Sequence, residues 1–187
     1  MLAYKGFNSD LTCSRGNGRF QYEIGKTYEE EQAKAASTGF HCTEDPLAVL
    51  HWYSSEGSRY CMVRAEGDIN EDGSGIRISC TKMTIVKELT KQQLLLHACK
   101  YMMDYPERKP DQMVRRNEGT AVDGFAIVRG RNPRARGRRG TTLYLLKERK
   151  NTIIQVGVYE VDGKKIKENT YYDINGREVM THEKRTA

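Results

Sequence analysis

The residues of this sequence best suited to binding chemistry are arginines, which crowd into residues 129–140 (RGRNPRARGRRG). No acidic residue interrupts that stretch. Because the planar guanidinium pairs with two oxygens of a phosphate or carboxylate at once, this density predicts an anionic partner, most commonly nucleic acid. With two arginines that precede the stretch, the predicted binding surface comprises Arg115, Arg116, Arg129, Arg131, Arg134, Arg136, Arg138 and Arg139.

The arginine stretch also has a simpler interpretation, a charged surface that keeps a small domain soluble. Lysine would serve that purpose equally well, yet residues 129–140 contain none. Arginine at every basic position therefore favours phosphate recognition. The strands predicted after this stretch carry tyrosines that could stack on unpaired bases, although half-buried strand residues are the favoured interpretation. These tyrosines are Tyr144, Tyr159, Tyr171 and Tyr172.

Charge divides the chain into two halves. Residues 1–100 carry 12 Lys and Arg against 13 Asp and Glu, a net of −1, whereas residues 101–187 carry 19 against 12, a net of +7. This asymmetry predicts a neutral domain followed by a basic interaction surface. It also argues against inhibition by nucleic-acid mimicry, because a mimic must be acidic.

The cysteines offer thiols that could serve as metal ligands, disulfides or small core residues. Their odd count, the lack of a secretory leader and the lack of a long apolar run favour a reducing, cytoplasmic location in a host cell and no membrane partner. Four of them recur every 19 residues, but no CxxC pair fixes two ligands locally. We therefore predict buried cysteines and neither a metal nor a cofactor. The cysteines are Cys13, Cys42, Cys61, Cys80 and Cys99.

Histidines and acids are the other candidates for chemistry. His41 follows a glycine in a predicted loop and is a candidate functional histidine, whereas His51 is predicted to be partly buried on a helix. Asp68, Glu71 and Asp72 lack the ligand pattern of a calcium loop and are interpreted as a solvated turn. No phosphate-binding GxxxxGK[ST] loop, GxSxG or HExxH motif occurs, which argues against NTPase and hydrolase chemistry.

Residues 1–104 are predicted to form a mixed α+β domain. Short strands alternate with turns, and one helix is predicted over residues 28–36, where three acids fill the first turn. A second helix is predicted to begin at Pro46, with Thr43 or Asp45 as its N-cap. Both helices would lie between strands that form a sheet.

The clearest predicted helix covers residues 88–101. Thr90 and Gln93 have the spacing of a capping box, and an apolar stripe follows at helical spacing. Residues 105–117 contain two prolines and little apolar material, which predicts a linker. The stripe consists of Leu94, Leu95, Ala98, Cys99 and Met102.

Residues 118–187 are predicted to form a basic, mostly β C-terminal domain, so the chain as a whole is α+β. Alanine and glycine recur at short spacings across residues 121–140, which suits a short β-solenoid. Paired strands are predicted over residues 143–147 and 152–159. Asp162-Gly163 and Asn175-Gly176 then predict tight turns around a further strand over residues 166–172.

Several segments resemble uncharacterised phage and prophage proteins. They are AYKGFNSDLTC, FQYEIGKTYEEE and STGFHCTEDPL near the start, and VDGKKIKENTYYDINGREV near the end. Many of those proteins end in an Ala/Gly-rich repeat followed by a segment similar to the last one. The resemblance covers most of the chain and implies a phage-borne accessory protein that acts against host defence.

About the first 90 residues also resemble small ADP-ribosyltransferases, through the order YKGF, GFHCTEDPLAVLHWY and YCMVRAEGDINEDG. The resemblance implies a fold like theirs for the N-terminal domain. Lys5 stands where that family has His or Arg to hold the cofactor, and a lysine ammonium reproduces neither geometry, so we predict no catalytic residues. The resemblance places Lys5-Gly6 at the first motif, Phe40 or His41 at the aromatic position, and Asp68, Glu71 or Asp72 at the acidic position.

The sequence thus predicts a non-enzymatic binding protein of phage type. It would engage nucleic acid, or a nucleoprotein such as a CRISPR effector, through the arginine surface, as an anti-CRISPR protein could. Two alternatives stay open: a degenerate NAD-dependent ADP-ribosyltransferase and a virion structural component. A homo-oligomer through residues 118–187 is a further expectation, because a short solenoid needs neighbours or a cap.

Overall fold

The protein forms two compact units, Met1–Ala98 and Cys99–Ala187. The structure, a computed structural model, describes residues 1–13, 19–34, 37–54, 56–71 and 77–180. Within those residues the chain is mostly β-sheet, with one α-helix and one short 3₁₀ helix. This agrees with the predicted α+β class, with a larger share of strand than the sequence suggested.

Strands account for most of the regular structure. In chain order they are β1 (Leu2–Phe7), β2 (Thr12–Cys13), β3 (Phe20–Gln21), β4 (Thr27–Glu29), β5 (Phe40–Cys42), β6 (Arg59–Glu71), β7 (Ile78–Leu89), β8 (Val114–Thr120), β9 (Phe125–Arg136), β10 (Thr142–Arg149), β11 (Thr152–Glu160) and β12 (Tyr172–Asp173). The helices are the 3₁₀ helix Pro46–His51 and α1 (Lys91–Asp104).

The first unit is built on an antiparallel sheet whose centre is the pair β6 and β7. Strand β1 pairs with β6, and both β4 and β5 pair with β7. Successive side chains of a strand point to opposite faces, so Cys61, Val63 and Ala65 of β6 are fully buried while Arg64 is exposed. Other members of this core are Ala3, Phe7, Phe40, Ile78, Met83 and Ile85.

Two of the predicted helices are found, the one that begins at Pro46 and the one predicted over residues 88–101, although the boundaries of the second differ. Asp45, rather than Thr43, caps the 3₁₀ helix, since its Oδ1 accepts a hydrogen bond from the Leu47 amide at 2.9 Å. Helix α1 begins three residues later than predicted because Glu88 and Leu89 still belong to β7, where they pair with β6. Its predicted apolar stripe is buried throughout: Leu94, Leu95, Ala98, Cys99 and Met102.

The capping box of α1 is confirmed. The Gln93 amide donates to Thr90 Oγ1 at 3.1 Å, and the Thr90 amide donates to Gln93 Oε1 at 2.9 Å. Replacing Thr90 by alanine leaves the Gln93 amide without its acceptor, so we expect the free energy of unfolding to fall by about 1 kcal/mol. Urea unfolding followed by far-UV circular dichroism measures this loss. Thr90→Ser keeps the hydroxyl, so its free energy of unfolding should fall by only a few tenths of a kcal/mol. Equal losses in the two variants would contradict the capping role.

The helix predicted over residues 28–36 is wrong. Residues 27–29 form β4, which pairs with β7, and no helix occurs in the described part of that range, which excludes Ala35 and Ala36. Tyr28 packs instead against other aromatic rings, with centroids 5.1 Å from Tyr22 and 5.4 Å from Phe20. The acids that follow Tyr28 locally favour the start of a helix, but the tertiary packing of the Tyr28 side chain overrides that preference.

The second unit begins with three parallel strands that follow one another directly along the chain. Val114 of β8 pairs with Ile127 of β9, thirteen residues later, and Phe125 of β9 pairs with Thr142 of β10, seventeen residues later. Small residues permit successive strands to approach one another this closely. At Gly130, for example, a Cβ atom would lie 2.1 Å from Asn117 Oδ1.

The predicted linker over residues 105–117 is therefore partly sheet, because its last four residues begin β8. Pairing with β9 supplies hydrogen bonds that the polar local sequence did not indicate. The predicted pairing of residues 143–147 with 152–159 is confirmed as the antiparallel hairpin of β10 and β11. Its two turn residues, Lys150 and Asn151, have φ values of 48° and 58°, as a two-residue hairpin turn requires.

The strand predicted over residues 166–172 is not formed, since only Tyr172 of that range belongs to a strand, β12. Asp162 Oδ1 accepts hydrogen bonds from the amides of Lys164 and Ile166 and so folds this segment into a turn. A tight turn does form at Asn175-Gly176, where the Gly176 amide donates to the Asp173 carbonyl.

Candidate nucleic-acid interface

A groove rich in basic side chains lies on the second unit, and we call it the basic groove. Arg116 comes from β8, Arg131 from β9 and Lys147 from β10, three neighbouring strands of one sheet. The register pairs Lys147 with Gly130 and Arg116 with Arg129, so the three cations line one groove without being paired directly across the strands. Arg149 at the end of β10 and Lys150 in the turn after it line the same groove. The groove encloses about 490 Å³.

Negative charge scarcely offsets these five cations. Among the described residues that line the groove, Glu148 supplies the one carboxylate. Its Oε2 accepts a hydrogen bond from Arg129 Nε at 3.1 Å, so the charge of Glu148 is already paired. The remaining lining groups include the amides of Asn132 and Asn151, which can donate to anionic oxygens. The groove therefore presents an uncompensated positive field.

A second depression adjoins the basic groove and shares Arg131, Asn132 and Lys147 with it. It is also lined by Arg134 and by two acids, Glu118 and Asp173. Charge is therefore more evenly balanced there. Excess positive charge is concentrated on the side of Arg131 that faces Arg116 and the β10–β11 turn.

Arg129 does not belong to an exposed surface. Its side chain is 7% exposed, and besides the pair with Glu148 its Nη2 donates to the Pro106 carbonyl. Its Nη1 is buried with no hydrogen-bond partner among the described residues. These contacts hold the Arg129 guanidinium within its own unit. The structure therefore does not place Arg129 on the exposed surface to which the sequence assigned it.

Arg134 and Arg136 flank the ring of Tyr171, with guanidinium carbons 5.3 and 4.8 Å from its centroid. Arg134 also forms an ion pair with Glu118, and Arg136 Nε donates to Thr120 Oγ1 at 3.2 Å. The hydrogen bond from Tyr171 and the charge of Arg134 hold the pKa of the Glu118 carboxyl below its usual value. These two arginines are half-buried and partly occupied within the unit.

The other predicted arginines are exposed but scattered. Arg115 lies on β8, and Arg138 and Arg139 lie in the segment between β9 and β10. No described groove brings Arg138 or Arg139 together with Arg131. Of the eight predicted binding residues, the structure thus gathers Arg116 and Arg131 into the basic groove and adds three cations that sequence reasoning missed: Lys147, Arg149 and Lys150.

The four tyrosines that the sequence offered for stacking are not exposed. Tyr144, Tyr171 and Tyr172 are buried, and half-buried Tyr159 donates to the Ile174 carbonyl at 2.9 Å. The prediction of half-buried strand residues is confirmed for Tyr159, whereas Tyr144 and Tyr172 are buried strand residues and Tyr171 lies just before β12. An interface built on this groove would contact the phosphate backbone rather than unpaired bases.

The histidines and acids of the first unit have different surroundings. His51 is exposed, so the prediction that it is partly buried is wrong, because the short 3₁₀ helix ends at that residue. His41 is half-buried, and its Nε2 is buried without a hydrogen-bond partner in the described ranges. Asp68 and Glu71 are exposed on β6 rather than in the predicted solvated turn, and Asp72 lies outside the described residues.

The predicted burial of cysteines is confirmed for Cys42, Cys61, Cys80 and Cys99, while Cys13 is half-buried. None of the five cysteines, all of which lie in the described ranges, forms a disulfide. No cluster of His, Cys, Asp and Glu that could hold a metal ion occurs within the described residues. No helix in that part of the chain combines the length and hydropathy needed to cross a membrane.

Comparison with known proteins places the first part of the chain in context. The family described as a domain of unknown function, DUF7666, matches residues 1–105. No curated protein and no solved structure matches the chain. The matched range ends before β8, so the basic groove lies wholly outside it.

Proposed function

We propose that this chain, which belongs to DUF7666, a family of domains of unknown function, is a non-enzymatic binding protein that engages nucleic acid, or a nucleoprotein, through the basic groove of its second unit. The observation that carries the proposal is that five cations line one groove, whose described lining includes a single carboxylate that is already paired. Release of condensed counterions from phosphates would supply most of the binding free energy.

The kind of binding follows from what lines the groove. Arginine and lysine ends supply charge-assisted hydrogen bonds to phosphate oxygens, and these contacts carry no sequence information. No aromatic side chain is among the described residues that line the groove, so it offers no stacking surface for bases. We therefore infer salt-sensitive binding with little sequence preference.

The setting of this activity is also part of the proposal. Resemblance to phage and prophage proteins supports an accessory protein that acts in the host cytoplasm against a host defence, such as a CRISPR effector. Nucleoproteins of that kind hold nucleic acid in basic channels. The basic groove would compete with such a channel for the nucleic acid, or would bind the same nucleic acid beside it. A pull-down from infected cells, with and without nuclease, would separate a nucleic-acid partner from a protein partner.

Two finer statements about the fold belong to the same proposal. The offset parallel pairing of β8, β9 and β10 supports a short solenoid, because successive coils stack in this way. An ADP-ribosyltransferase-like fold for the first unit is supported by the resemblance alone. Lys5 occupies the position at which a cofactor would be held, so we infer that the unit performs no NAD-dependent transfer.

A salt titration tests the basic groove. Fluorescence anisotropy with labelled duplex DNA of mixed sequence should give a log–log slope of affinity against salt of about −3.6 if about four phosphates are contacted. The variant Arg116→Gln/Arg131→Gln/Lys147→Gln should bring the slope about 2 to 3 units closer to zero. Its affinity should fall roughly tenfold or more at about 100 mM salt.

A matched control removes the same charge elsewhere on the second unit. Arg138→Gln/Arg139→Gln/Lys164→Gln changes three exposed cations that lie outside the groove. It should keep most of the affinity and slope of the unmodified chain. Equal losses in the two triple variants would assign binding to overall charge, and an unchanged slope in the groove variant would refute the site.

A further inference from the structure

Strand β11 is an edge strand of the sheet in the second unit. It pairs with β10 on one side, and within the described residues no strand pairs with its other side. Just beyond the pair, the Val161 amide donates to the Thr141 carbonyl, so the backbone of Val161 faces β10. Residues that face the partner alternate with residues that face away. Counted back from Val161, the residues whose N–H and C=O groups point away from the sheet form what we call the open edge: Val156, Val158 and Glu160.

The two edges of this sheet differ in how well they are protected. Strand β8, at the opposite edge, carries exposed Arg115, Arg116 and Glu118, and its register with β9 shifts between the last two. Charged side chains and bulges of this kind discourage an edge strand from pairing with another chain. Strand β11 has no charged residue over residues 152–159, and Val158 is 40% exposed. The open edge therefore lacks the protection that β8 has, which favours a strand partner for it.

A bulge sets the length of β11 that can pair regularly. The register with β10 shifts between Lys147 and Glu148, which pair with Gln155 and Ile153 and leave Ile154 as the extra residue. The regular segment therefore runs over residues 155–160. All three residues of the open edge lie within it.

The regular segment is already held in place on one face. The Tyr159 hydroxyl donates to the Ile174 carbonyl at 2.9 Å. Gly157 approaches the same carbonyl so closely that a Cβ atom there would lie 2.7 Å from its oxygen. Because these contacts order the strand before a partner arrives, pairing along its free side costs little additional conformational entropy.

The open edge is complementary to a second copy of itself. In an antiparallel pair centred on Val158, each Val158 lies opposite the Val158 of the other copy, and each Val156 lies opposite Glu160. Every outward N–H then meets an outward C=O, so each copy donates three hydrogen bonds and accepts three. The exposed Val158 side chains meet on the two-fold axis and are removed from water.

Charge favours the same antiparallel arrangement. Glu160 is the one charged residue of β11. In the pair centred on Val158, the two Glu160 carboxylates lie four residues apart along the strands, or about 13 Å. Parallel pairing in register would set them side by side, where like charges repel. This residue-by-residue match about an axis comes from a second copy, and an unrelated peptide need not supply it.

We propose that two copies of this chain associate through the open edge of β11, which joins their second units into one continuous sheet about a two-fold axis at Val158. The homo-oligomer expected of residues 118–187 then forms by edge pairing rather than by stacking of coils. A short paired segment buries little surface, so the dimer dissociates in the micromolar range. None of the described residues that line the basic groove lies within residues 155–160, so dimerisation does not depend on nucleic-acid binding.

Sedimentation equilibrium of the nuclease-treated full chain tests the dimer. The mean mass should rise from one chain towards two between low micromolar and submillimolar concentration. Val158→Lys places two ammonium groups on the axis and should weaken dimerisation roughly tenfold or more. Val122→Lys is the matched control, since Val122 is 63% exposed and lies outside β11, and it should dimerise like the unmodified chain. A monomer at every concentration, or equal dimerisation by the two variants, would overturn the proposal.

Residue-resolved hydrogen exchange of the unmodified chain locates the interface without any substitution, and decides the matter if Val158→Lys does not fold. The amides of the open edge should exchange roughly tenfold more slowly or less at submillimolar than at low micromolar concentration. The amides of Gly157 and Tyr159, which face β10, should be protected at both. A dimer whose open-edge amides exchange equally fast at both concentrations associates through another surface, which would overturn the assignment to β11.

The groove variant separates this interface from the proposed nucleic-acid interface. Arg116→Gln/Arg131→Gln/Lys147→Gln should dimerise like the unmodified chain while it loses duplex binding. Val158→Lys should retain duplex binding when both chains are compared at concentrations at which they are monomeric. Loss of dimerisation in the groove variant would mean that the copies associate through the groove and not through β11.

Discussion

Replacing Arg129 by methionine should lower the free energy of unfolding of the second unit by about 3–5 kcal/mol. The side chains of Arg129 and Glu148 are 7% and 13% exposed, so the variant leaves a carboxylate buried without its partner. It also removes the donor that reaches the Pro106 carbonyl. The one tryptophan of the chain, Trp52, lies in the first unit, so its fluorescence does not report on the second. Hydrogen exchange of the second-unit amides is therefore the suitable measurement.

Arg131→Met is the matched control, since it is the same substitution two residues along the same strand at an exposed position. It should change stability by no more than about 0.5 kcal/mol and should weaken duplex binding instead. Arg129→Met/Glu148→Leu removes both charges and should recover much of the lost stability. If Arg129→Met is as stable as the unmodified chain but binds duplex poorly, the structural role is contradicted and Arg129 contributes to duplex binding instead.

The contrast between Arg129 and Arg131 shows what the sequence could not reveal. Both are arginines of the same twelve-residue stretch, with Gly130 between them, and nothing in the local sequence distinguishes them. What separates them is their burial on β9, where Arg129 is buried and Arg131 is exposed, and the contact of Arg129 with Glu148, nineteen residues away. Composition therefore predicted a basic surface in this part of the chain but included in it one arginine that the structure buries.

The basic groove was hidden for a related reason. Lys147 lies beside Gly130 because β9 and β10 pair in parallel at an offset of seventeen residues. A local pattern predicts that residues 143–147 form a strand, but it does not predict which earlier residues that strand will face. The short spacings between alanine and glycine suggested stacked coils. Extending that spacing to residues 147–150 (KERK) would have been the one available signal that these basic residues lie beside the preceding strand.

Features whose partners are close in sequence were predicted best. The capping box of α1 involves residues three apart, and the β10–β11 hairpin closes through two turn residues. The helix over residues 28–36 failed because Tyr28 packs with Phe20 and Phe40, which lie on separate strands. Local acids favoured a helix there, and contacts across the sheet decided against it.

That aromatic cluster leads to the second prediction of a large effect, which concerns Phe40. Its side chain is 3% exposed, and its ring centroid lies 6.3 Å from those of Tyr22 and Tyr28. Phe40→Ala removes a ring from a closed core and leaves a cavity, so the free energy of unfolding of the first unit should fall by about 3–5 kcal/mol. Trp52 fluorescence during urea unfolding reports on this unit, and an unchanged slope with denaturant keeps the comparison valid.

Phe20→Ala is the control within the same cluster, because Phe20 is 42% exposed while its centroid lies 6.1 Å from that of Phe40. Its loss removes ring contacts but opens no closed cavity, so it should lower the free energy of unfolding by about 1 kcal/mol. Phe40 lies on β5, which pairs with β7, and its ring contacts Tyr28 of β4 and Phe20 of β3. Similar losses for the two variants would show that ring contacts, rather than burial on β5, stabilise this face of the first unit.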